Sequence, residues 1–345
     1  MGLDWTAERV PLEADPELFR FRPRPILIDE WQNVAKVWDV VRHAADRDPS
    51  GGQFLLVGSA MPWAGATAHS GAGRVGRLRM RPMTLEERRV GEPAVSLTHL
   101  LEGGREQLHG QTDVRLVRYV EEILASGFPA LRSLSGRVRR FQLDSCLRNP
   151  VDRDVPEQGL AVRRPDALMA WLRAYAAATS STAGYSQILD AATLGQGDKP
   201  ARSTSDAYRR VLESLWLLDP VPAWELGGSQ FTRLGRSPKR HLADPALAAC
   251  LLALNEAKLL GTGGGPVGPE GRTMLGRMFE SLATLCIRVA AQAAEADVGH
   301  LRTRNGDHEV DLVVIREDGD VLAIEVKAAG AADDGDAKHL QWLRR

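Results

Sequence analysis

Apolar positions along the chain recur in three rhythms, and each forecasts a different kind of element. Near the N-terminus two short unbroken runs, Pro25-Ile26-Leu27-Ile28 and Phe54-Leu55-Leu56-Val57, read as strands buried on both faces, the pattern of a parallel sheet. The first ends in Asp29-Glu30 and the second in Gly58-Ser59-Ala60, with an amphipathic helix expected over Trp31–Ala45 between them. From Leu160 to Leu226 the period becomes helical. Helices are expected over Pro165–Thr179, with Leu168, Trp171, Leu172 and Tyr175 on one face, over Tyr185–Ala192, and over Thr204–Leu218, with Tyr208, Val211, Leu212, Leu215 and Trp216 on one face. A polar loop, G-Q-G-D-K-P-A-R-S-T, separates the second from the third, and an extended V-P-A-W-E-L segment follows. Further on come a helix over Pro245–Leu254, a Gly/Pro-rich loop over Gly261–Gly271 and a long apolar helix over Leu275–Ala294. The last rhythm is that of strands: Glu309–Ile315 and Val321–Val326, joined by the polar turn Arg316-Glu317-Asp318-Gly319-Asp320. An acidic stretch, Asp333-Asp334-Gly335-Asp336, reads as a solvated turn before a final helix over Ala337–Arg345.

The hairpin carries the candidate chemistry. Strand side chains alternate between faces, so Leu322, Ile324 and Val326 share one side while Glu325 and Lys327 share the other. Asp311 interrupts an apolar strand on the face of Val313 and Ile315. A carboxylate on one strand, and a carboxylate and lysine on its neighbour, make either a metal site or the charged face of a solvated hairpin. The arrangement Asp311, then Glu325-Val326-Lys327, resembles the core of the PD-(D/E)xK nuclease superfamily. That resemblance implies Asp311 and Glu325 as Mg²⁺ ligands and Lys327 as the group that orients water or steadies the transition state, and hard oxygen ligands suit Mg²⁺. The superfamily often carries a Glu on the helix before the catalytic strands, a position that Glu280 fits. The alternative for Glu280 is a partly exposed acid paired with Arg277 or Arg288.

The N-terminal runs carry a second resemblance. The strand ending in Asp29-Glu30 looks like a Walker B strand, which delivers an Asp to Mg²⁺ and a Glu that polarises water. Ser59 falls where such ATPases place a sensor residue. The ordered series I-L-I-D-E, F-L-L-V-G-S-A and H-S-G-A-G-R-x-x-R-L-R-M-R-P-M-T-L-E-E-R resembles a family of bacterial AAA-type ATPases with a C-terminal domain of unknown function and nuclease-like fold. The match continues through Gly127-Phe128-Pro129 and Asp154-Val155-Pro156-Glu157-Gln158-Gly159. It implies ATP as a cofactor alongside Mg²⁺, with Asp29, Glu30 and Ser59 at the nucleotide. One departure stands out: the G-x-x-x-x-G-K-[ST] phosphate loop occurs nowhere in the sequence. Family members place it before the Walker B strand and continue past Arg345. The chain is therefore expected to be truncated at both ends relative to them, and ATP hydrolysis by it alone to be weak or absent.

Composition narrows the rest. The 345 residues are 43% hydrophobic and 26% charged, with a formal net charge of −1 that excludes a globally basic nucleic-acid binder. Cys146, Cys250 and Cys286 show no metal spacing and read as buried thiols in a reducing compartment. No apolar run reaches membrane-spanning length, so the expectation is a cytoplasmic protein without a membrane partner. The expected class is an α/β multidomain chain: a partial AAA-type P-loop module over 1–125, a helical, winged-helix-like middle over 126–235, and an α/β restriction-endonuclease-like domain over 236–345. A winged helix would set its third helix in a DNA groove with Arg202, Arg209 and Arg210 near phosphates, although Asp206, Glu213, Asp219 and the aromatic stripe favour packing between flanking domains. Arg132, Arg137, Arg139 and Arg140 form the densest basic cluster, a phosphate contact or a solvated helix face. Two functions follow: an ATP-regulated enzyme with a Mg²⁺-dependent nuclease-like domain, or a non-catalytic regulator that binds DNA or protein, itself included, and keeps both folds as scaffolds.

Overall fold

Ile26 and Ile28 turn inward while Leu27 and Asp29 turn outward, and this alternation sets the first layer of the structure. The computed structural model describes residues 1–59, 73–104, 110–155, 165–194, 201–224, 236–261, 269–303 and 306–344. Contacts divide the chain into two units, one of Met1–Met80 with Val211–Trp216 and one of Arg81–Arg210 with Leu217–Arg345. These limits differ from the expected boundaries at 125 and 235. Ala60, His69–Ala72, Pro156–Gly159, Gly195–Pro200, Glu225, Leu226 and Thr262–Gly268, which carried parts of the expected motifs and loops, lie outside the described residues.

In the first unit, helix α1 (Thr6–Ala14) precedes strand β1 (Ile26–Asp29), and helix α2 (Lys36–Arg47) precedes strand β2 (Phe54–Val57). The strands pair in parallel, Ile26 opposite Phe54 and Asp29 opposite Val57. Ile26, Ile28, Leu12, Phe19, Trp31, Val37, Trp38 and Val41 make the core, with Trp31 stacked on Trp38. The expected helix from Trp31 starts as a 3-10 turn, Trp31–Val34, and becomes α-helical from Lys36. Burial on both strand faces is not observed. Leu27 and Leu55 are 49% and 58% exposed, because the described helices pack against one face only.

The second unit holds helices α3 (Leu97–Leu101), α4 (Leu116–Ala125), α5 (Pro129–Arg132), α6 (Gly136–Asn149), α7 (Pro165–Ala177), α8 (Tyr185–Ala192) and the start of α9 (Arg202–Ser214). After them come α10 (Pro245–Leu251), α11 (Glu256–Leu260), α12 (Pro269–Ala293), strands β3 (Asp297–Arg302), β4 (Glu309–Ile315) and β5 (Val321–Ile324), and α13 (Lys338–Leu343). The strands form an antiparallel sheet in the order β3-β4-β5. Thus helix and sheet mix as expected of an α/β multidomain chain. The hairpin gains a third strand, β3, beyond the elements expected from the apolar pattern.

Aromatic packing organises the middle of this unit. Trp171 stacks on Tyr175 and Tyr185 and meets Tyr208 edge-on, and its indole N–H donates to Ser205 Oγ at 2.8 Å. Tyr185 lies under two guanidiniums, Arg240 at 3.8 Å and Arg209 at 5.0 Å, so Arg209 is engaged in cation–π contact. Of the basic cluster, Arg132 binds Glu122, and Arg139 donates to the carbonyls of Leu131, Arg132 and Leu134. Those two hold local structure. Glu122 is buried beneath three guanidiniums, Arg88 at 3.2 Å, Arg118 at 2.8 Å and Arg132 at 2.8 Å. Gly127 sits where a Cβ would come within 2.8 Å of the Met83 carbonyl and Pro82, so only glycine fits the close approach. The cysteines are free and partly buried rather than core thiols.

Candidate functional site

A short ladder between α9 and α10 positions the site. Leu218 pairs with Leu242 and Val221 with Lys239 in antiparallel bridges, and Val221 and Lys239 exchange both backbone hydrogen bonds at 2.9 Å. In extended backbone alternate residues point to opposite sides. Lys239 and His241 accordingly reach α12 and the sheet, while Arg240 between them turns to Tyr185 and the Ala183 carbonyl.

Lys239 is fully buried, and its ammonium is shared among three carboxylates. It donates to Glu280 Oε1 on α12 at 2.8 Å and to Asp311 Oδ1 on β4 at 3.0 Å, and lies 3.5 Å from Glu309 Oε1. Burial alone would lower the Lys239 pKa, but the charges of Glu280 and Asp311 outweigh it and hold the group protonated far above neutrality. The Glu280 carboxyl is pushed up to about 7 by burial, with Lys239 opposing and Asp311 adding to the rise. Glu280 therefore pairs with neither Arg277 nor Arg288, the partners considered from sequence. Arg277 donates to the Ala177 carbonyl and Arg288 binds Asp219.

The β4–β5 register brings the predicted carboxylates together. Leu312 opposes Ile324, and one step further along the same register Asp311 stands opposite Glu325, just past the end of the paired strand. Asp311 Oδ2 accepts the Val326 N–H at 2.9 Å. Lys327 donates to Glu325 Oε1 at 2.5 Å. The Glu325 pKa is raised, first by burial and further by the neighbouring Asp311, against the pull of Lys327. Lys327 is itself raised, because its bond to Glu325 outweighs its partial burial. Glu325 and Lys327 line a cavity of about 260 Å³ whose other walls include Ala329, Ala332, Asp333, Asp336 and Leu340. Asp333 and Asp336 accept each other's backbone N–H groups at 3.0 Å, a self-contained turn. Among the described residues, no group of three or more His, Cys, Asp or Glu has the geometry of a ready-made metal site.

Two buried imidazoles flank Lys239. His241 Nδ1 lies 3.2 Å from Ser281 Oγ, one residue along α12 from Glu280, and His300 Nε2 lies 3.2 Å from the Ser237 carbonyl. Burial and the Lys239 charge push His241 well below its ordinary range and His300 down to about 4. A histidine kept neutral in the fold takes up its proton only on unfolding, so stability is full above its ordinary value of 6.5 and falls with acid until about 4. For His300 alone the expected loss at pH 5 is roughly 2 kcal/mol. Urea unfolding at pH 7.5 and pH 5 checks it, since His300→Gln should lose visibly less on acidification than wild type. His339 on α13 lies 3.3 Å from His308, which stacks on Trp342.

The other predicted residues occupy the first unit. Asp29 ends β1, and Glu30, in a left-handed conformation at φ 51°, turns its carboxylate toward β2. Glu30 Oε2 accepts from Gln32 Nε2 at 2.5 Å and from Ser59 Oγ at 3.3 Å. Asp29 Oδ1 accepts the Glu30 N–H at 3.1 Å. The three residues thus meet at the carboxyl ends of parallel strands, where open α/β sheets place their ligands.

Comparison with known proteins divides the chain three ways. Residues 5–88 match the model of an AAA domain, residues 117–258 a domain of unknown function (DUF8612), and residues 275–345 another domain of unknown function (DUF4143). The first match supports an AAA-type domain in the N-terminal part. An uncharacterized protein of Mycobacterium bovis and one of Mycobacterium tuberculosis are each 24% identical over 294 residues, which is 84% of this chain and 55% of theirs. The chain spans about half the length of these curated relatives. No solved structure matches. No helix among the described residues is long and apolar enough to cross a membrane.

Proposed function

We propose that the chain joins an AAA-type, ATP-using module to a Mg²⁺-dependent centre that acts on nucleic-acid phosphodiesters, built on Asp311, Glu325 and Lys327. The observation that carries the reading is Glu325 Oε2, which is buried beside Asp311 and has no hydrogen-bond partner among the described residues. A buried, bare carboxylate oxygen is costly unless a cation meets it, and paired oxygen donors are what Mg²⁺ takes. The residues fit such an ion, with Asp311 and Glu325 to hold it. When bound it would polarise a phosphate oxygen and make its water a stronger nucleophile. The Val326 N–H fixes the orientation of Asp311, and Glu325 holds Lys327 at the cavity wall. Lys327, partly exposed, presents a positive charge where a phosphate gains negative charge in the transition state.

Cleavage of plasmid DNA in Mg²⁺ checks the proposal. Asp311→Asn and Lys327→Ala should each slow it by about 100-fold, the scale of losing one electrostatic group in an active site. Full cleavage by Asp311→Asn would sink it. The nucleotide half predicts separately: Glu30, Gln32 and Ser59 form the water-positioning end of a nucleotide site, but no phosphate-loop motif occurs in these 345 residues. Calorimetry on this chain should show no ATP binding, and a micromolar affinity would mean that another segment cradles the phosphates.

A second reading, a non-catalytic regulator that binds DNA or protein, is favoured by the Lys239 ammonium, which already balances Glu280 and Asp311. It predicts no cleavage with any divalent ion. In that reading the α7–α8–α9 array and the ladder after it would serve as the winged helix.

A further inference from the structure

Glu280 and Asp311, one on a helix and one on a strand, meet across a single ammonium group. We infer that Lys239 is the fixed cation of this site: it holds the position between Glu280 and Asp311, so that a divalent ion binds only on the Asp311–Glu325 side, one per chain. Glu280 is then a positioning residue for Lys239 and not a metal ligand. The inference rests on the metal centre proposed above and assigns its stoichiometry and the part played by each carboxylate.

Three observations carry it. Lys239 has no room to leave. Its side chain is wholly enclosed, its backbone is bonded in both directions to Val221, and the next residue on the same side of the ladder, His241, is held against Ser281 beside Glu280. Ladder and helix are therefore docked at two successive pairs, Lys239–Glu280 and His241–Ser281. The second observation is geometric. An ammonium donates three hydrogen bonds, and Lys239 directs them to Glu280 Oε1 at 2.8 Å, Asp311 Oδ1 at 3.0 Å and the Asp311 carbonyl at 3.5 Å, with Glu309 Oε1 in ion-pair contact at 3.5 Å. A divalent ion bound by the same Glu280 and Asp311 oxygens, at about 2.0–2.6 Å from each, would share their space with that charge.

Charge supplies the third. Glu280, Glu309, Asp311 and Glu325 face Lys239, Lys327 and Arg302, which reaches Glu309 at 3.4 Å. The small negative excess suits a single ion. It lies toward Glu325, whose second oxygen is the bare one.

Mn²⁺ is the probe, counted by the loss of its free electron-paramagnetic-resonance signal on the full chain. The ions that belong to the site are those present in wild type and missing in Asp311→Asn. The expected count is one, unchanged in Glu280→Gln. Lys239→Met should raise it to two, and adding Glu280→Gln to Lys239→Met should return it to one. Two ions in wild type, or loss of the ion in Glu280→Gln, would overturn the inference while leaving the metal centre standing. No ion in wild type would overturn both. Should Lys239→Met fail to fold, Glu280→Gln decides alone, because it retains Lys239 and a hydrogen-bonding partner of the same shape.

Discussion

Lys239→Met should destabilise the second unit by about 3–5 kcal/mol, the cost of removing one partner from a buried ion pair. The side chain is completely enclosed, and its loss leaves Glu280 and Asp311 facing one another in a low-dielectric interior. Methionine fills a similar volume, so the deficit reports charge and not a cavity. The pH dependence follows from the sign of the shift. The Lys239 pKa is raised above its ordinary 10.5, so its stabilisation is complete below that value and is lost only as the solution becomes more alkaline. The wild-type advantage should therefore hold across neutral pH. Urea unfolding at pH 7 tests this, with a difference under about 1 kcal/mol counting against a desolvated pair. Replacing Glu280 and Asp311 by their amides in the same background should recover part of the loss, because the uncompensated charges go with them.

An effect of the same order, about 3–4 kcal/mol, is expected for Glu122→Gln. Glu122 and Arg88 are both buried, and Arg118 and Arg132 bind the same carboxylate. Burial would raise the Glu122 pKa, but the hydrogen bonds and charges of Arg132 and Arg88 outweigh it and hold the group below its ordinary 4.5. A carboxylate with a depressed pKa stabilises the fold above its ordinary value, and that contribution disappears as acid protonates it. The gap between wild type and Glu122→Gln should accordingly be widest at neutral pH and narrow as the pH falls below the ordinary carboxylate value of 4.5. Chemical denaturation over that range checks it. A gap independent of pH would place the effect in packing.

Several parts of the architecture were legible residue by residue. The apolar runs Glu309–Ile315 and Val321–Val326, with polar residues between, announce two strands and their turn, although the second strand ends at Ile324, and the helices at 165, 185 and 245 begin where their periodicity places them. Strand β3 went unseen because Gly299 and His300 interrupt its apolar pattern. His300 is buried there with its ring held by the Ser237 carbonyl, and Gly299 lies so close to Trp224 that a Cβ would meet it at 2.9 Å. Lys239-Arg240-His241 is a run of three basic residues. In the fold all three are buried, each turned to a different partner.

What the sequence determined by itself was local: period-two and helical patterns, and the order of Glu280, Asp311, Glu325 and Lys327 along the chain. Those depend on neighbours a few positions apart, which the chain's own stereochemistry enforces. Only the tertiary structure decided which charges meet. Lys239 reaches Glu280 across 41 residues and Asp311 across 72, and no spacing rule connects a ladder, a helix and a strand. Their meeting is set by burial, which leaves a desolvated ammonium no stable place except among carboxylates.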